Sequence, residues 1–180
     1  MRWLAVRCPE LPLEVLTRGL DPVPPLAVCE QYQVLQASDA ARADGVEPGM
    51  RLATARGLCD GLQSTARNEA REQQALYRLG YRLLDVTPRV SAEPPDTLLL
   101  EIGSCLRLFG GLDPLLEAAD RILAESGYST RRALGPTPRA AEQLTALPPD
   151  ESRACHDTDD PEAAFRALLN ELPLAALRLP

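Results

Sequence analysis

The sequence contains no lysine: all nineteen basic residues are arginine, set against twenty-six Asp and Glu. The resulting formal charge of −7 argues against a chain that grips duplex DNA by itself, because such affinity comes from cations that neutralise phosphates. The lack of lysine is what GC-rich codon usage produces. Histidine is nearly absent too, with one residue. The five cysteines (Cys8, Cys29, Cys59, Cys105 and Cys155) are odd in number, widely spaced and free of any CxxC pair. That pattern argues against a zinc site and fits free, mostly buried thiols in a reducing compartment. No apolar run approaches the ~18 residues of a membrane span, and no basic-then-apolar leader opens the chain. A cytoplasmic location without membrane contact is expected.

What is present is the composition of an ordinary globular protein, 45% hydrophobic and 25% charged. Its 180 residues suit one domain, or one domain with an inserted lobe. A chain of this size buries roughly 70% of its unfolded surface.

The stretch from Thr87 to Gly111 organises the rest. Its centre, Asp96-Thr97-Leu98-Leu99-Leu100-Glu101-Ile102, is the most strand-like run in the chain. Successive leucines mean that both faces are covered, as in a central strand flanked by helices. Asp96 opens this strand after Pro94-Pro95, and Glu101 lies further along it. Two acids on a sheet edge suit Mg²⁺ and phosphoryl transfer. The alternative is that Asp96 ends a turn and Glu101 faces a polar neighbour.

Around this centre the pattern alternates between strands and helices. Arg2 to Arg7 reads as a short strand broken at Cys8-Pro9. Glu10 to Leu20 reads as a helix with Leu13, Leu16 and Leu20 on one face and Gly19 near its end. Asp21 to Pro25 is a connector. Leu26–Glu30 and Gln33–Ala37 read as strands joined by a tight turn, expected to pair in one antiparallel sheet with the first and central strands. Arg51 to Cys59 continues as a small helix, and Leu62 to Ala66 as a short strand. Asn68 is a good N-cap for a helix to about Leu84, with Leu76, Leu79, Gly80 and Leu83 along one face. Tyr77 and Tyr81 are read as packing residues of that helix. Asp113-Pro114 are expected to cap and open a helix that Gly127 ends. Tyr128 to Gly135 reads as another strand, and Pro136 to Leu147 as a helix.

Gln143 to Leu147 loosely resembles a sliding-clamp-binding pentapeptide, although its leucines also fit a helix face. Pro148 to Asp160 is a polar connector. His156-Asp157-Thr158-Asp159-Asp160 resembles a ligand cluster on paper, but Asp160-Pro161-Glu162 is the pattern of a helix start, and a final helix is expected from Pro161 to Leu172.

Two stretches carry a family resemblance. Ser38-Asp39-Ala40-Ala41-Arg42-Ala43-Asp44-Gly45-Val46-Glu47-Pro48-Gly49-Met50 is similar to the fingers motif S-Y-E-A-R-x-x-G-V-x-x-G-M of the Y-family (UmuC/DinB-type) translesion DNA polymerases. Asp96 to Gly103 resembles the catalytic-strand pattern D-E-A-Y-L-D-V-T of that family without a gap. The continuation through Leu108-Phe109-Gly110-Gly111 is closer still to its ImuB-type branch, the polymerase-like mutagenesis proteins of bacteria.

The resemblance implies an α/β fold: a ferredoxin-like palm sheet with flanking helices, carrying a small, mostly helical fingers insertion. It places a first palm part at 1–35, fingers at 36–84 and a second palm part at 85–180, ending before an expected thumb. It implies three catalytic carboxylates, of which only Asp96 remains. Thr97 replaces the second acid. The matching stretch of the first strand, Ala5 to Leu11, holds no Asp, and Glu10 or Leu11 stands where the family has a ribonucleotide-excluding aromatic. Arg42 takes the place of the family's nucleotide-phosphate contact, a bidentate role suited to guanidinium. Asp39 replaces its Tyr partner, which leaves open that Arg42 only pairs with Asp39 or Asp44. Arg139 stands near where active members carry another phosphate contact.

One carboxylate does not hold two Mg²⁺ ions against their hydration. The expectation is therefore a non-catalytic scaffold or adaptor in DNA-damage-induced mutagenesis and translesion synthesis, without a cofactor. Its implied partners are a RecA-like protein, a replicative-type error-prone polymerase and the sliding clamp, mostly through regions outside this stretch, with weak or absent DNA binding here. Two rivals remain. One is a divergent active polymerase using Asp96, Glu101 and Glu10 as Mg²⁺ ligands. The other is a DNA-binding module built on Arg131, Arg132 and Arg139.

Overall fold

The computed structural model describes residues 2–147 and, beyond them, Ala163, Arg166 and Ala167. The chain forms two compact units, one from residues 10–75 and one from residues 1–9 with the chain after Ala75.

The second of these is built on a four-stranded sheet. Its strands are β1 (Trp3–Arg7), β5 (Val90–Glu93), β6 (Thr97–Glu101) and β7 (Arg131–Gly135), in the spatial order β5-β6-β1-β7. Every neighbouring pair is antiparallel. With helices α4 (Glu69–Leu83) and α6 (Leu112–Ser126) in the chain order β1-α4-β5-β6-α6-β7, this is the split βαββαβ arrangement of ferredoxin-like folds. Five successive residues of β6 are buried, which is why that strand reads as an unbroken apolar run. Leu4, Leu98 and Leu100 are wholly inaccessible. Burying each contributes about 1.5–3 kcal/mol.

The two faces of the sheet are covered differently. On one, α4 comes close enough at Gly80 that an added Cβ would lie 3.3 Å from a methyl of Leu98. Helix α6 lies on the same face, since Arg132, level with Val6 in the ladder, reaches Asp120 on α6 with Nε and Nη2 at 2.6 and 2.8 Å. On the other face α7 (Pro138–Leu144) lays Ala141 against Ala5 and Leu99. The approach is tight: a Cβ on Gly135 would meet the backbone nitrogen of Ala141 at 2.5 Å. Thr137 caps α7 by accepting from the Ala140 amide. A short helix, α5 (Leu106–Phe109), precedes α6.

The 10–75 unit has its own three-stranded sheet. Strand β2 (Leu26–Glu30) is central, antiparallel to β3 (Gln33–Ala37) and parallel to β4 (Gln63–Ala66). Both faces of β2 are used. Leu26 and Val28 pack with Leu13 of α1 (Leu11–Thr17). Ala27 and Cys29 pack with Ala41 of α2 (Asp39–Ala43) and Ala55 of α3 (Leu52–Leu58). The β2–β3 turn places Gln31 and Tyr32 at φ 50° and 66°, the left-handed pair that a two-residue hairpin requires.

Several expectations need correction. Strands β2 and β3 do not join β1 and β6; they form a separate sheet because β4 supplies the third strand. The compact units divide at residues 10 and 75, a division distinct from the fingers bounds of 36–84 that the resemblance implies. Strand β5, unforeseen, pairs with β6 across the Pro94-Pro95-Asp96 turn. Helix α1 stops at Thr17, and Leu20 is about half exposed. Helix α6 starts at Leu112 after Gly111, one residue ahead of Asp113-Pro114. Tyr77 and Tyr81, read as packing residues, are 48% and 74% exposed and border a shallow groove with Leu84, Val90 and Ala92.

Other expectations hold. Asn68 accepts from the Arg71 amide at the start of α4, and Cys8, Cys29, Cys59 and Cys105 are buried thiols. Leu144 and Leu147 of the clamp-like pentapeptide are buried in the core. Ala163, Arg166 and Ala167 are helical, on the stretch expected to form the last helix. The remainder of that helix, Cys155, the polar connector and the His156–Asp160 cluster lie outside the described residues. Among the described residues, no helix is long and apolar enough to cross a membrane.

Candidate functional site

Asp96 ends the β5–β6 turn and immediately precedes β6, next to the last residue of β1. Arg7 is level with Thr97 in the β1–β6 ladder, and the Cys8 amide donates to the Asp96 carbonyl at 2.8 Å. The Asp96 side chain is nearly buried, and both of its oxygens accept from the protein. Arg7 Nε donates to Oδ2 at 2.9 Å, and Thr97 Oγ1 donates to Oδ1 at 2.9 Å. A guanidinium thus stands against one oxygen of this carboxylate, and the neighbouring threonine donates to the other.

Glu101 does not converge with Asp96. Five residues of extended chain separate them by roughly 16 Å and put their side chains on opposite faces. Glu101 is buried and turned to other work. It accepts from the Ser104 hydroxyl at 2.6 Å and the Ser104 amide at 3.3 Å, with Arg89 Nη1 at 3.9 Å. Its own carbonyl accepts from Thr87 Oγ1 at 2.6 Å. The Ser104 hydroxyl bond, above all, holds its carboxyl below the usual range, against the opposing effect of burial.

The fingers-like motif folds as its residues dictate. Ser38 caps α2, accepting from the Ala41 amide, and accepts from the Leu26 amide at 2.9 Å while donating to the Pro24 carbonyl. Gly45 and Gly49 both take φ 88°, where a side chain is disfavoured. Val46 between them is wholly buried. Arg42 is the motif's one basic residue and is exposed. It bonds Glu10 at 3.0 Å and lies 3.8 Å from Asp39, so two acids neutralise it. Asp39 was an expected partner; Glu10, the other proposed metal ligand, was not. Two of the three arginines of the proposed DNA-binding group are paired with acids: Arg132 is held by Asp120 and Arg139 by Glu142 at 3.2 Å.

The pattern of the impB/mucB/samB family matches residues 13–146. The chain belongs to this family, which groups the UmuC/DinB-type Y-family polymerases and their relatives. Protein ImuB from two strains of Caulobacter vibrioides is 31% identical over 135 residues, covering 75% of this chain and 28% of ImuB. A post-insertion binary complex of Dbh DNA polymerase superposes with a TM-score of 0.67 at 18% identity, over 98% of this chain and 53% of that one. DinB from Sulfolobus solfataricus gives a TM-score of 0.59 at 17% identity, over 81% and 45%. These structures share the fold. The chain spans less than a third of the length of the ImuB relatives and about half of the polymerase chains.

Members of the impB/mucB/samB family with polymerase activity use paired Mg²⁺ ions, and the residues present here do not fit such a pair. Asp96 is satisfied by Arg7 and Thr97, Glu101 faces away, and Glu10 bonds Arg42. Among the described residues no three His, Cys, Asp or Glu side chains are grouped to hold a metal. Arg7 is the residue that sequence reasoning missed. Its signal was available in the sequence: an arginine stands in the stretch where the resemblance leads one to expect an acid.

Proposed function

We propose that this chain is the palm-and-fingers part of a non-catalytic member of the impB/mucB/samB family, acting as a scaffold or adaptor in damage-induced mutagenesis and translesion synthesis. Residues 1–9 with 76–147 correspond to the palm in this reading, and residues 10–75 to the fingers. The observation that carries it is the pairing of Asp96: this carboxylate at the start of β6 is bonded to an arginine, and among the described residues no three His, Cys, Asp or Glu side chains are grouped to hold a metal. Phosphoryl transfer through two metal ions needs several carboxylates around cations about 4 Å apart. A cytoplasmic setting beside a RecA-like protein, a replicative-type polymerase and the clamp accompanies this proposal.

The test is primer extension by a full-length version with Mg²⁺ or Mn²⁺. No extension is expected. Extension that disappears in Asp96→Ala would return the protein to the class of divergent polymerases.

A further inference from the structure

We infer that the Arg7 guanidinium has replaced a metal ion on Asp96 and bars divalent cations from that carboxylate, so that Asp96 now ties the end of β1 to the start of β6. This deepens the non-catalytic reading and rests on it, yet the two fail separately.

The geometry is specific. Arg7 Nε lies 2.9 Å from Asp96 Oδ2, with side chains only 19% and 10% exposed. Thr97 Oγ1 lies 2.9 Å from Oδ1, so each oxygen has a protein donor. The same two strand ends are joined again by the Cys8 amide and the Asp96 carbonyl at 2.8 Å. A divalent cation would have to displace one of these donors and then stand next to a fixed positive charge. Mg²⁺ also demands several oxygens in near-octahedral order, and neither Arg7 nor the Thr97 hydroxyl, which is spent on Asp96, supplies one.

The same arrangement explains why one acid persists. Once Arg7 stands in β1, a neutral residue at 96 would leave a largely buried guanidinium without its counter-charge. Removing Arg7 alone would take the counter-charge from a largely buried carboxylate, and breaking such a pair from one side is costly. The exchange differs from a metal in one functional respect: a guanidinium satisfies the carboxylate but offers no coordination position for a phosphate oxygen.

The experiment is Mn²⁺ titration by calorimetry, paired with thermal midpoints in Mg²⁺ or EDTA, on the wild-type chain, Arg7→Met, Asp96→Asn and the double variant. The wild type should show no Mn²⁺ heat and an unchanged midpoint. Arg7→Met should melt lower, regain part of the loss in Mg²⁺ relative to EDTA, and bind Mn²⁺ at least about tenfold more tightly than wild type, because a like charge has left the site. The double variant should lose that binding. If Arg7→Met does not fold, Arg7→Gln keeps an N–H donor without the charge and is read the same way. Wild-type Mn²⁺ binding that Asp96→Asn abolishes would overturn the inference, as would a folded Arg7 variant that binds no more tightly than wild type. Primer extension without cation binding at Asp96 would instead sink the functional reading alone.

Discussion

Arg67 holds Glu72 through both carboxylate oxygens: Nε lies 3.1 and 3.0 Å from Oε1 and Oε2, and Nη2 lies 2.8 Å from Oε2. Glu72 is almost wholly buried at 3% side-chain exposure and Arg67 at 18%. The pair fixes the exit of β4 to the first turn of α4, and Glu30 at 3.3 Å adds a bond from the end of β2. Arg67→Ala strands a buried carboxylate and should cost about 3 kcal/mol, read as a lower urea midpoint. Replacing both residues by apolar side chains of similar volume should cost less than either single change. Equal midpoints for Arg67→Ala and wild type would show the pair to be dispensable.

Glu101 makes stability depend on pH. Its folded-state pKa is depressed, chiefly by the Ser104 hydroxyl. A depressed carboxyl stabilises the fold above its unfolded pKa, and that contribution is lost as the pH falls through the lower folded value. Ser104→Ala should therefore be less stable than wild type at neutral pH, with the gap closing in acid below the usual carboxylate range. Urea midpoints at neutral and strongly acid pH measure it; a gap that stays constant or widens in acid contradicts the assignment.

Gly135 admits no side chain. A Cβ there would lie 2.5 Å from the Ala141 nitrogen and 2.9 Å from its Cα, which are backbone atoms with no rotamer to yield. Gly135→Ala should push α7 off the sheet and cost about 1–3 kcal/mol, seen as a lower melting temperature and as faster amide exchange in α7.

Arg42 tests the nucleotide question. It is 42% exposed and its partner Glu10 36%, so the pair itself is worth less than about 1 kcal/mol. Arg42→Ala should leave the urea midpoint nearly unchanged. Calorimetric titration of the folded wild type with a Mg²⁺-nucleoside triphosphate should give no heat. Micromolar binding lost in both Arg42→Ala and Asp96→Ala would revive the polymerase reading.

Local signals carried much of this architecture. Leu98-Leu99-Leu100 announced an inner strand because no polar side interrupts it, and the glycines of the Ser38–Met50 motif announced turns that only glycine closes without strain. The failures share a non-local cause. A strand pattern says that β2 and β3 exist but not which sheet they join. Strand β5 is four residues long, Val90-Ser91-Ala92-Glu93, between Pro88 and Pro94, and becomes a strand only by pairing with β6. Helical spacing put Tyr77 and Tyr81 on α4 without showing how little of the sheet lies beneath them. Arg7 and Asp96 are 89 positions apart, a distance at which no period or spacing connects them.

The central position of β1 sets an order on synthesis. Trp3 is level with Glu101 on one side and Gly135 on the other, so β1 is made before either of the strands that enclose it. At ~5–20 residues per second it waits on the order of ten seconds for β7, with Leu4, Ala5 and Val6 exposed to whatever is near. The 10–75 unit has no such delay, since its three strands and three short helices all emerge before α4 is finished. Until β7 is made, a completed 10–75 unit coexists with a β1 that lacks that strand.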